Sequence, residues 1–246
     1  MQKEWQEYSH TLKALLNLDY SPVALSCLKE PLLKDEGGKR ARICRAILDA
    51  GKGAIIQVDK GSNACFGAAW HLGFVQIKDP KVAGMIKKFV VEGEKLFCSY
   101  QALDNLMSQM EPAPDNADSY FVLAPLEKAD FLPQLVLFIV NPEAACRLLT
   151  FVTFLDGLMP KIKIGGPTCR MNIIYPLLTG EVNLSFFDYT ARKMCNVEKD
   201  KLLISIPYEK LPAIIANIEK CSAGSAKIEY PQEFREFLQQ RLTPRR

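Results

Sequence analysis

Three cysteines stand out by their surroundings as residues that could do chemistry. Cys44 follows Gly37-Gly38, Cys65 follows Gly61, and Cys169 follows Gly165-Gly166, and each leads into an apolar run with helical spacing. A thiol at a helix start meets outward-pointing backbone N–H groups and the positive end of the helix dipole, both of which favour a thiolate. Helices that start at one edge of a sheet bring their N-termini together. Three thiolates gathered there would suit a metal ion or an iron–sulfur cluster, with Cys195, His71 or an external molecule as the fourth ligand. The expectation is that the sulfurs of Cys44, Cys65 and Cys169 lie within roughly 8 Å of one another, since thiolate–zinc bonds are about 2.3 Å. The competing reading is packing, because free cysteine is among the most buried residue types. Cys27, Cys98, Cys146 and Cys221 lack the glycine-led context and read as inert packing residues.

The stretch over residues 61–73, Gly-Ser-Asn-Ala-Cys-Phe-Gly-Ala-Ala-Trp-His-Leu-Gly, is unlike the rest of the chain. Asn63 is expected to cap a short helix beginning near Ala64, with Cys65 in its first turn as a candidate nucleophile. Gly67 and the neighbouring alanines permit close approach of a backbone or ligand. His71 falls six residues after Cys65, on a different side of that helix, so the helix alone builds no Cys–His pair. Arg45 and Arg170 directly follow Cys44 and Cys169. Exposed N–H groups at Gly165 and Gly166 together with a planar arginine fork suit a carboxylate or phosphate. The candidate ligand-binding set is therefore Arg45, Asn63, Gly67, Gly165, Gly166 and Arg170, against the commoner case of solvated arginines. No Walker A loop, GxGxxG fingerprint or Ser-His-Asp set is present.

These residues sit in a chain of 246 residues, 48% hydrophobic, with a net charge of +3. The near balance of charge argues against a dedicated nucleic-acid binder. No apolar run reaches membrane-spanning length. The N-terminal segment is amphipathic and carries acids, unlike a signal peptide. Eight widely spaced cysteines without a CxxC read as reduced thiols in a cytoplasm.

Periodicity places helices over residues 1–16 and 39–50, strands over 23–28 and 54–58, and a helix opened by Asp79-Pro80 with Val82, Met85, Ile86 and Phe89 inward. A further helix turns Phe97, Tyr100, Leu103, Leu106, Met107 and Met110 inward. Residues 111–119 form a loop and mark the best lobe boundary. Strands at 120–124 and 135–140 precede a helix to Asp156 and a short strand at 161–164. The helix from Cys169 should stop near Tyr175, because Pro176 blocks continuation. Strands follow at 183–187 and 202–206, then a helix over 211–221. A C-terminal helix over 231–242 is expected to dock through Phe234, Phe237, Leu238 and Leu242, on this chain or on a second copy in a homo-oligomer. The fold class is α+β: one domain over residues 1–246 with a mixed sheet and helices mainly on one face. Two weakly related halves are suggested by echoes between the Cys44-Arg45 and Cys169-Arg170 segments, and between residues 120–128 and 202–210.

The order of short motifs carries a resemblance. Ser21-Pro22-Val23-Ala24, Cys44, Cys65-Phe66-Gly67-Ala68 with Leu72-Gly73, Ala124-Pro125-Leu126, Asn141-Pro142, Cys169 with Pro176-Leu177 and Gly180, and Ile206-Pro207 follow in sequence. Together they resemble the family named domain of unknown function 169, over most of the chain from about Tyr20 to Cys221. The resemblance implies a prokaryotic cytosolic protein, often from anaerobes, with no assigned reaction. It implies that Cys44, Cys65 and Cys169 occupy family motif positions. The stretch 79–110 fits the family pattern less well.

Three functions remain open on these residues. The first is a ligand-binding or accessory protein, with a pocket at the glycine–cysteine helix starts holding a metal, an iron–sulfur centre or a small anionic molecule. The second is a thiol enzyme with Cys65 as nucleophile. The third is a structural or interaction protein whose cysteines are core.

Overall fold

The computed structural model describes residues 2–33 and 40–242, the last of these by its backbone alone. Gly37-Gly38, the turn expected before Cys44, and the polar tail 243–246 lie outside the described residues. The elements run α1 (Gln2–Leu16), β1 (Val23–Leu28), α2 (Ile43–Gly51), β2 (Ile56–Val58), α3 (Phe66–His71), α4 (Pro80–Lys88), α5 (Tyr100–Met107) and β3 (Tyr120–Pro125). They continue with β4 (Leu135–Val140), α6 (Pro142–Asp156), α7 (Tyr175–Thr179), β5 (Asn183–Ser185), α8 (Tyr189–Cys195), β6 (Leu202–Pro207), α9 (Leu211–Asn217) and α10 (Gln232–Leu242).

The six strands form one sheet in the order β2-β3-β1-β4-β6-β5. Every strand pairing is antiparallel, so the expected mixed sheet is corrected on this point. The only parallel contact among the described residues is an isolated bridge between Ala41 and Asn63. Antiparallel strands alternate their side chains between faces, and both faces here are covered. Val23 and Leu25 of β1 enter a core layer with α2, α3, α8 and the helix start at Cys169, whereas Ala24 enters a second layer with α1, α6 and α9. Helices therefore cover both faces rather than mainly one. Strands such as β4, buried along their whole length, leave no polar face for solvent.

The order of the strands shows the two halves. Outward from the central β1–β4 pair, each half places its first, third and then second strand. A two-fold rotation perpendicular to the sheet would produce this order. Each half closes on a 3₁₀ turn after its Pro-ending strand, at Leu126–Lys128 and at Tyr208–Lys210. The first turn is pinned to α1: Glu127 accepts from the hydroxyls of Ser9 (2.7 Å) and Ser21 (2.8 Å).

The helix starting at Thr168 does not stop before Pro176, as expected, but runs through it to Thr179. A π-turn over Arg170–Ile174 makes this passage tolerable, with the Tyr175 N–H bonding to the Arg170 carbonyl. Proline offers no N–H to the carbonyls one turn back, and side chains from the sheet supply the missing donors. Ser205 Oγ donates to the Asn172 carbonyl at 2.6 Å, and Asn183 Nδ2 donates to that of Met171 at 3.0 Å. The strand expected at 161–164 does not form. Instead Lys163 exchanges backbone hydrogen bonds with the Asn183 side chain.

Two further expectations are corrected. In α4 no residue is buried and in α5 only Leu103 is. Met85 and Phe89, expected inward, are 65% and 60% exposed. These helices form a lobe outside the sheet, whose neck is tied where Asn116 N donates to the Gly73 carbonyl and Asn116 Nδ2 to that of Leu72. Gly73 has φ +86°, and a Cβ there would lie 1.9 Å from the Pro114 carbonyl oxygen, so only glycine fits. The helix α10 does not dock on this chain; Phe234 and Phe237 are exposed and stack on each other.

Ser205 is fully buried and closes the helix–sheet junction. Ser205→Ala is expected to cost about 1–3 kcal/mol, the penalty for stranding a buried carbonyl, read by urea denaturation. An unchanged denaturation midpoint would contradict this account of how the helix passes Pro176.

Candidate functional site

Helix starts in the first core layer position the predicted residues. Cys44 lies in the first turn of α2, which begins at Ile43 rather than at residue 39. Cys65 is the N-cap of α3 itself: its Sγ accepts from Ala68 N at 3.5 Å. Asn63, the expected cap, does not take that role, because it is spent holding Cys65. Its Oδ1 accepts from Cys65 N at 3.2 Å and its Nδ2 donates to the Cys65 carbonyl at 2.7 Å. Cys169 lies at the start of the helix containing the π-turn. Cys44, Cys169 and Cys195 are buried in the same core layer, and Cys65 packs against it.

The electrostatics of these thiols differ from the expectation. Burial comes first and pushes Cys44 well above the usual thiol range, with Cys169, Asp188, Cys195 and Cys65 adding in the same direction. Burial likewise raises Cys169, followed by Asp188 and Cys65. Desolvation thus outweighs the helix-start field, and the buried pair are neutral thiols at pH 7. Among the described residues no group of three or more His, Cys, Asp or Glu side chains is arranged to hold a metal ion. Without that arrangement these residues do not fit a metal or iron–sulfur centre, whose ligands must be gathered around it. No hydrogen bond joins the Cys65 thiol to a base among the described residues.

Asp188 orders this end of the layer. Its Oδ1 caps α8 by accepting from Ala191 N, and its Oδ2 accepts both the N–H and the hydroxyl of Thr168. Thr168 Oγ1 accepts in return from Asp188 N at 2.7 Å. The clasp fixes the start of the Cys169 helix against the start of α8. Asp188 was not among the residues singled out in the sequence; its N-cap position before a helical turn was the available signal.

The two arginines part company. Arg45 is exposed, and its fork is satisfied by Asp49 one turn along α2, at 3.0 Å and 2.7 Å. The structure therefore gives it a partner of its own. Arg170 is 2% exposed. Its Nη1 donates to the Glu111 carbonyl at 3.1 Å, while its Nε is buried without a hydrogen-bond partner. No carboxylate lies within ion-pair distance of it among the described residues. Glu111 itself is paired with Lys163, which helps hold its carboxyl below the usual range against the opposing effect of burial. Burial in turn lowers the Arg170 guanidinium.

His71, 8% exposed, lies stacked on Trp70 with its Nδ1 unpartnered. Burial first, and the Arg170 charge second, lower its pKa from 6.5 to about 4. Of the glycines, Gly166 packs against Met171 and Met110, and Gly165 takes φ +98° beside it in an exposed turn. Gly67 lies in α3, where a Cβ would reach Cys65 Sγ at 4.0 Å. An open hollow of ≈ 700 Å³ abuts this region and is lined by Glu111, Lys163 and Tyr175 among others. None of the predicted site residues lines it. Glu111, which lines the hollow and whose carbonyl accepts from Arg170, was marked by the sequence only as the start of a loop.

The His71 shift sets a pH dependence. A histidine of ordinary pKa in the unfolded chain takes up a proton between about pH 6.5 and 4 that the folded protein does not bind. Stability contributed by neutral His71 is thus complete above pH 6.5 and falls as pH drops toward 4. The loss is on the order of 3 kcal/mol. His71→Gln should flatten this part of the stability–pH curve; an unchanged slope would show that His71 is not the group responsible.

No curated protein and no solved structure matches the chain. A family model, DUF169, described as Uncharacterised ArCR, matches residues 11–217, which take in the whole sheet, Arg45, Arg170, Cys44, Cys65, Cys169 and Cys195 but not α10. With that match the chain belongs to the family named domain of unknown function 169.

Proposed function

We propose that this protein is a binding or accessory protein for a small anion, with Arg170 as the charged centre of its site and His71 and the Cys65 and Cys169 helix starts around it. One observation carries the reading. Arg170 is a buried cation with no carboxylate partner among the described residues and with an unused Nε–H. A buried charge left unpaired costs several kcal/mol (about 3–5 when a partner is removed), so chains without a use for one replace it. An anionic ligand supplies the missing partner. Asp188 spends both oxygens on Thr168 and Ala191, and Glu111 spends Oε1 on Lys163 while its Oε2 makes no hydrogen bond; neither carboxylate pairs with Arg170.

The thiols in this reading shape the wall of the site, and Cys169, held neutral by burial, adds no negative charge beside Arg170. Arg45, with Asp49 across its fork, lies outside it.

The reading makes a paired demand on Arg170→Met. Without added anion the variant should melt at or above the wild-type temperature, because replacing a buried ion by an apolar side chain is neutral or stabilising by about 1–4 kcal/mol. The wild type should gain stability with millimolar small anions relative to chloride at the same ionic strength, and the variant should not. A wild-type melting curve unmoved by every anion tried would end the proposal.

A further inference from the structure

We infer that this protein forms a two-fold homodimer in which α10 of each copy seats its aromatic face in the hollow between α6 and the C-terminal segment of the other. The inference is independent of the anion site.

Uncovered surface is the first reason. The chain exposes 14123 Å², whereas a compact monomer of 27.6 kDa exposes about 11000 Å². A permanent homodimer covers about 1000–2500 Å² per copy, so the surplus has room for such an interface. Much of the apolar part lies at the C-terminal end. No residue over 232–241 is buried, yet Phe234, Phe237 and Leu238 fall on one face of α10. Tyr230 extends that face backwards. Its ring stacks on Phe234 at 5.8 Å between centres, and Phe234 stacks on Phe237 at 6.3 Å. All three rings are exposed. Rigid aromatic side chains of this kind are the anchors of interfaces, and an open apolar row marks a contact surface.

The row is not covered from within its own chain. Arg235 Nε donates to the Tyr230 carbonyl at 2.7 Å, and Phe234 N and Arg235 N both donate to that of Pro231. These bonds tie α10 to its lead-in, and the aromatic row runs across the joint. The helix therefore does not fold back over the segment it leaves.

That segment carries the receiving surface. An open hollow of ≈ 460 Å³ is lined by Thr150, Thr153 and Phe154 of α6, by Cys221 and by residues 226–229. Phe154 and Ile228 are exposed at it, and its size admits an aromatic ring. Its charged rim includes Lys227, which has no ion-pair partner among the described residues. Glu233, one turn before Phe237 on the flank of the row, has none either. The hollow and the row thus offer opposite charges beside matching apolar surfaces.

The second copy follows from where these two surfaces lie. Residues 226–229 line the hollow, and Tyr230 begins the row. A two-fold axis beside this stretch brings each row to the other copy's hollow and covers all four surfaces at once, the self-complementary closure of an isologous dimer. A foreign helix in the hollow would leave the row of α10 open.

The test is sedimentation of the full-length protein across micromolar concentrations. The wild type should reach twice the mass of the 27.6 kDa chain. Phe237→Glu puts a charge into the apolar contact and should weaken dimerisation at least tenfold. On the receiving side, Phe154→Lys and Lys227→Glu should each weaken it as well. The three side chains are exposed, and an unchanged far-ultraviolet dichroism spectrum checks that each variant folds. If Phe154→Lys does not fold, Lys227→Glu stands for the receiving side. A wild type that sediments as a monomer throughout, leaving the row to a different partner or to none, would overturn the inference. So would a dimer that survives Phe237→Glu. A dimer lost in Phe237→Glu but untouched by the receiving-side variants would place α10 on another surface, and would overturn it too.

Discussion

The antiparallel pairing of Val23–Leu25 with Leu135–Leu137 is the seam on which the rest of the structure depends. It joins two half-sheets of the same strand order, and each half contributes helix starts to one core layer. Cys44-Arg45 from the first half and Cys169-Arg170 from the second are brought to the same layer by that arrangement. The halves then diverge in a way that makes a site. In the first, arginine lies on an ordinary helix surface and closes on Asp49 one turn away. In the second, a proline forces a π-turn, and the extra residue in that turn goes with an arginine held inside.

The energetics of that second helix start are set by hydrogen bonds. Its vacated carbonyls would cost about 1–3 kcal/mol each if left bare. Ser205 and Asn183 satisfy those of Asn172 and Met171, and the Thr168–Asp188 clasp fixes the start of the helix. A locked backbone is what allows an unpaired cation to stay buried: Arg170 is 2% exposed and starts on the π-turn that these bonds hold. Local polar satisfaction around an unsatisfied charge is the pattern expected where stability is given up for binding.

Much of the fold was legible because its signals are local. Alternation and apolar runs marked all the long strands, Asp79-Pro80 and Asn141-Pro142 marked helix starts, and the Pro-x-Glu-Lys echoes marked the repeated 3₁₀ turns. The errors came where a distant side chain overrides a local rule. Pro176 reads as a stop until Ser205 answers for its missing N–H. Asn63 reads as a cap until the Cys65 sulfur takes that role. The periodic apolar residues of α4 read as core, yet that helix lies in a lobe off the sheet, which periodicity cannot register. The site followed the same division. Arg45 and Arg170 have equivalent sequence contexts, and only tertiary burial separates a surface pair from an unpaired charge. The thiols were read as activated because helix-start fields are visible in sequence, whereas the desolvation that outweighs them is not.

The central claim is that the unused Nε–H of Arg170 is held open for an anion. The most direct measurement is the ¹⁵Nε–¹Hε correlation of Arg170 in labelled protein, assigned by its loss in Arg170→Lys and followed during titration with acetate and with phosphate. The account predicts a saturable shift of this resonance, with the corresponding signal of Arg45 unmoved. An Arg170 resonance that shifts no more than that of Arg45 at any concentration of either anion would contradict it.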